Sequence, residues 1–112
     1  MDYKTIANDG IVEEEIKKSR FICHLKRISR EEEGREYIAQ IKKQHHKANH
    51  SCSAIIVGDD GQIKRSSDDG EPSGTAGVPM LTVLEKQGLT NVVAVVTRYF
   101  GGIKLGAGGL IR

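Results

Sequence analysis

Only two cysteines, Cys23 and Cys52, occur in the 112 residues, too few for the disulfide scaffold of a small secreted domain. No stretch approaches the roughly 20 consecutive apolar residues that a membrane-spanning helix needs. The first ten residues, MDYKTIANDG, lack the apolar run of a secretory signal, so the expected location is the cytoplasm. No repeat, heptad series or low-complexity linker interrupts the chain. The Walker string G-x-x-x-x-G-K-[ST] is missing, and GIKLGAGG does not have the G-x-G-x-x-G spacing that brings a backbone against a pyrophosphate. A net charge of +2 does not by itself announce a nucleic-acid binder.

What is present suits one soluble globular domain, with 38% hydrophobic and 29% charged residues. Eleven of the 17 lysines and arginines lie in the first 50 residues, whereas eleven of the 13 glycines lie from Gly58 onward. The first half is a charged scaffold and the second carries the special backbone. Ile11 to Ile16 could form a short edge strand. KSRFICHLKR, from Lys18 to Arg27, alternates with Phe21, Cys23 and Leu25 on one face and Lys18, Arg20, His24 and Lys26 on the other, the period of a half-buried strand. Ser29 and Glu32 form a capping-box pattern ahead of Tyr37, Ile38, Ile41 and His45, which predicts a helix from about Arg30 to His46.

CSAIIVG, Cys52 to Gly58, is apolar on both faces like a central strand, and GDDGQ turns into a further strand at Ile63 to Ser66. Met80, Leu81, Val83 and Leu84 give a helix ended by Gly88, and NVVAVVTRYF a second buried strand. LGAGGLIR reads as the glycine-rich opening of a third helix that the chain does not complete. The order β-β-α-β-β-α-β-(α) implies a two-layer α/β sandwich with a mixed sheet.

The stretch SSDDGEPSGTAGVP, residues 66–79, concentrates carboxylates and small residues before the second helix. Ser73 or Thr75 can cap that helix, and Pro79 is tolerated in its first turn. Asp68, Asp69 and Glu71 would repel a phosphate brought there without Mg²⁺. A pairing of Asp68 or Asp69 with Arg98, as a latch over a site, is expected instead. The His45, His46, His50 and Cys52 cluster lacks a paired C-x-x-C, so zinc is not expected. Neither is a cysteine nucleophile, because the strand pattern puts Cys23 and Cys52 in the core. Lys18, Arg20 and Lys26 could track a phosphate backbone. They could equally be a solvated face neutralised by Glu13, Glu14 and Glu15.

HSCSAIIVGDDGQIKRSSDDGEPSGTAGVPML followed by NVVAVVTRYFGGIKLGAGGLIR closely resembles the N-terminal domain of the IMPACT/YigZ/YvyE family. DDGEPSGTAG and VVTRYFGGIKLGAGGL carry the resemblance. It implies the left-handed βαβ fold of a small-subunit ribosomal protein's second domain. It also implies that residues 1–112 are one Impact N-terminal domain, cut short before the usual smaller C-terminal α/β domain. Eukaryotic members regulate translation by protein contact, so the resemblance implies a non-enzymatic regulator that binds RNA or the translation machinery. The expected binding site joins Asp68, Asp69, Glu71, Ser73, Thr75, Arg98, Tyr99, Gly101, Gly102, Lys104 and Gly106, with no catalytic residue, metal or cofactor. The alternative is an enzyme acting on a phosphorylated small molecule, with Lys104 and the glycine turn on the phosphate and Asp69 on Mg²⁺.

Overall fold

The computed structural model describes residues 5–6 and 9–100, so the glycine-rich segment after Phe100 lies outside the described residues. Strand β1 (Gly10–Ile16) folds back on β2 (Ser19–Arg27), helix α1 (Glu31–Gln44) leads to β3 (His50–Val57) and β4 (Ile63–Ser67), and helix α2 (Gly77–Lys86) precedes β5 (Val92–Tyr99). The strands form one sheet in the order β1-β2-β5-β3-β4. Hairpins and crossovers are mixed in its connections, but every described pairing is antiparallel. The reason is topological. Each crossover skips one strand, so β5 is inserted between β2 and β3, and β3 between β4 and β5.

Residues of β3 and β5 alternate between two cores. Ile55, Val57, Val93 and Val95 pack with Ile41, Tyr37 and Ile38 of α1. Ala54, Ile56, Val92 and Ala94 pack with Leu84, Met80 and Leu81 of α2. One helix therefore covers each face, and the expected two-layer sandwich gives way to three layers. The cause is the double-sided hydrophobicity of β3 and β5, since a strand apolar on both faces needs cover on both. Crossovers β2-α1-β3 and β4-α2-β5 run in opposite directions along the sheet from oppositely pointing strands. With their helices on opposite faces they are necessarily of opposite hand, and one departs from the usual right-handed rule.

Local chemistry shifts several boundaries. Lys18 belongs to the turn, not to β2. Lys17 and Lys18, at φ 50° and 70°, form the two-residue link between the paired Ile16 and Ser19, a geometry that demands two left-handed residues. The capping box moves by one position, because Glu33 rather than Glu32 accepts from the Ser29 and Arg30 amides at 2.6 and 3.3 Å. On β2 the face assigned to Arg20 and Lys26 also carries Ile22 and His24, which are only 4% and 2% exposed. That face lies under α1. Arg20 and Lys26 reach solvent from it across the rings of Tyr99 and Tyr37.

Candidate functional site

The acidic loop is bound into the fold through its own carboxylates. Asp68 accepts from the backbone N–H groups of Gly77, Ala76 and Gly74 at 2.7, 3.1 and 2.8 Å. These bonds hold its carboxyl below the ordinary value of 3.8, Gly77 contributing most. The helix cap is thus an aspartate eight residues upstream of the N-cap Ala76, whose own side chain offers no oxygen. Thr75 and Ser73 do not cap α2: the Thr75 hydroxyl donates to the Pro72 carbonyl, and Ser73 is exposed. Asp69, left-handed at φ 47°, accepts from the Ser51 amide at 2.7 Å and from Lys42 Nζ at 3.1 Å. Its carbonyl lies 2.9 Å from His50 Nδ1.

A latch to Arg98 exists, but its partner is Glu71. Arg98 Nη1 donates to both Glu71 carboxylate oxygens, at 3.0 and 3.3 Å. The expected Asp68 or Asp69 pairing fails because both aspartates are drawn to backbone amides nearer in the chain. The guanidinium also stacks between Phe100 and Phe21, 4.6 and 5.2 Å from the ring centres. Cross-strand register aligns these groups, since Arg98 pairs with Phe21 on one side and His50 on the other. Beside the latch opens a cavity of about 460 Å³ lined by Phe21, Cys52, Glu71, Thr75, Met80 and Arg98 among others. Cys52 donates its thiol proton to the Asp68 carbonyl at 3.2 Å. Burial first, then the loop carboxylates, pushes that thiol up to about 11, so it is a poor nucleophile at neutral pH.

Tyr99 does not join this group. It alternates to the α1 face, where its hydroxyl lies 2.6 Å from His45 Nδ1 and the His45 ring is 5.2 Å from that of His24. Gly101, Gly102, Lys104 and Gly106 lie outside the described residues. His50 and Cys52 face α2 while His45 faces β2 and β5 from α1, so these residues do not converge, and no group of three metal-ligating side chains comes together among the described residues. Lys18, Arg20 and Lys26 are not one basic surface, because Arg20 is paired with Glu13 and Lys26 with Asp9. Sequence reasoning missed Phe21, Met80 and Cys52 as cavity walls. The available signal was register: residues two apart on three neighbouring strands share the Arg98 face.

The profile of the Impact N-terminal domain matches residues 17–112. IMPACT family member YvyE of Bacillus subtilis is 62% identical over 110 residues, covering 98% of this chain and 51% of the relative. The crystal structure of a hypothetical protein superposes with a TM-score of 0.83 at 46% identity, over 96% of this chain and 53% of the other. The two-domain translational regulator Yih1 superposes with a TM-score of 0.64 at 25% identity, over 95% of this chain and 43% of the other. The chain spans about half the length of these relatives. Sequence and architecture agree that it belongs to the IMPACT family, through its Impact N-terminal domain.

Proposed function

We propose that this domain regulates translation by binding a protein of the translation machinery, in the cytoplasm and without turnover. The observation that carries the reading is the employment of the loop. Asp68, Asp69 and Glu71 are all engaged in holding backbone or Arg98, which leaves an apolar cavity beside a clamped guanidinium. That is a recognition surface, with aromatic and arginine anchors of the kind that dominate protein interfaces. The similarity to a translational regulator supports the biological setting. The crossover of unusual hand supports a likeness to the second domain of a small-subunit ribosomal protein. RNA is the less favoured partner, since Arg20 and Lys26 are neutralised by carboxylates. Catalysis on a phosphorylated molecule is less favoured too, because Asp69 already has two donors.

A pull-down from lysate with the tagged full-length protein, with and without ribonuclease, tests this. A translation factor or ribosomal protein retained after ribonuclease and lost in Arg98→Ala is the expected result. Thr75→Lys, which crowds the cavity mouth but leaves the latch intact, should lose the same partner if Arg98→Ala proves unstable. Loss of all bound material with ribonuclease would transfer the function to RNA.

A further inference from the structure

Strand β1 is the more open edge of the sheet among the described residues, its charge confined to Glu13, Glu14 and Glu15. Among the described residues its one extensive neighbour is β2, all seven residues are exposed, and Ile11, Val12 and Ile16 present 67%, 63% and 50% of their surface. Natural edges are usually blunted by proline, bulges, short length or charge covering the strand. β1 has an uninterrupted seven-residue register and no proline. The opposite edge, β4, is blunted. It is five residues long, and its Lys64 and Arg65 are held by Glu85 of α2 and Glu31 of α1. The tight Lys17-Lys18 turn fixes β1 against β2, so its outward N–H and C=O groups are preorganised.

We propose that β1 is a strand-addition site for an extended basic segment of a partner protein, a surface separate from the Arg98 cavity. Charge selects the occupant. Glu13 is paired with Arg20, whereas Glu14 and Glu15 enter no ion pair among the described residues. An incoming strand gains main-chain hydrogen bonds along the edge. Two adjacent lysines or arginines, one on each face, meet Glu14 and Glu15, which lie on opposite faces of β1, and its apolar residues meet Ile11, Val12 and Ile16. A second copy of β1 is a poor occupant. A two-fold antiparallel pairing centred between Glu13 and Glu15 sets glutamate against glutamate, which is destabilising.

The test uses two labelled seven-residue valine peptides, one with lysine at two adjacent central positions and one with glutamate there, titrated into the full chain. Hydrogen exchange and fluorescence anisotropy are followed. The lysine peptide should slow exchange of the outward β1 amides and bind at least tenfold more tightly than the glutamate peptide. The Glu14→Lys, Glu15→Lys double variant, altered only at exposed positions, should invert that preference. Equal binding of both peptides, or protection away from β1, overturns the proposal. Concentration-dependent protection of β1 without peptide would assign the edge to a second copy and overturn it as well.

Discussion

A single carboxylate, Asp68, replaces the helix cap that Ser73 or Thr75 could have supplied. Asp68→Ala strands the amides of Gly74, Ala76 and Gly77 together, so its melting temperature should fall well below that of Thr75→Ala, as thermal denaturation will show. His24 sets a second expectation. It is 2% exposed, and neither ring nitrogen has a partner among the described residues. Burial, followed by the nearby His45, holds its imidazole below the ordinary 6.5; burial likewise lowers His45. Both side chains therefore fold in the neutral form. Their stabilising contribution is complete above about pH 6.5 and is lost as pH falls from there through the lowered values. The melting temperature should be flat above neutrality and drop as pH falls below about 6.5. His24→Leu should flatten that drop while holding or raising stability at pH 7.5, because an unsatisfied polar ring is removed. Alternation along KSRFICHLKR told which residues share a face. It could not tell which face is covered, and the lysines and arginine beside His24 disguised a buried position.

Elements were legible wherever one residue type carried the signal, as in the double-sided apolar β3 and β5 or the glycine closing α2. What escaped was close approach. Gly77 begins α2 against β4, where a Cβ would sit 2.7 Å from both the backbone N and O of Ser67. Gly77→Ala must push the helix off the strand, and a loss of about 1–3 kcal/mol in chemical denaturation is expected. Nothing in the string GTAGVP announces that the chain returns so closely on the strand ten residues before it. The β1–β2 turn offers the reverse experiment. Two lysines occupy left-handed positions suited to Asn-Gly, so replacing Lys17-Lys18 by Asn-Gly should add about 1 kcal/mol. The Arg98–Glu71 pair was half legible: the latch and the arginine could be foreseen, whereas the choice of Glu71 depended on backbone amides claiming Asp68 and Asp69 first. A double-mutant cycle over Arg98→Ala and Glu71→Gln should give a coupling of about 1 kcal/mol, reduced by salt because Arg98 keeps 31% of its side-chain exposure.

At the scale of the molecule, both proposed binding surfaces are set by the strand order. The Arg98 cavity exists because β5 brings Arg98 between Phe21 of β2 and His50 of β3, and β1 is an edge because β2 spends its other side on β5. Strand order could not be read from spacing, since skipping one strand leaves no mark in the local pattern. Its deepest consequence is temporal. β5, the middle of the sheet, follows every other described strand in the chain, so during synthesis β2 and β3 must wait with their inner edges unpaired. Non-local pairing of this kind is slow to form and leaves apolar strands open to aggregation or chaperones meanwhile. A nascent chain whose residues through Asn91 have left the ribosome should still be digested readily by protease. One in which Tyr99 has also cleared the exit should become resistant in a single step: the described sheet acquires its shape all at once, on the arrival of β5.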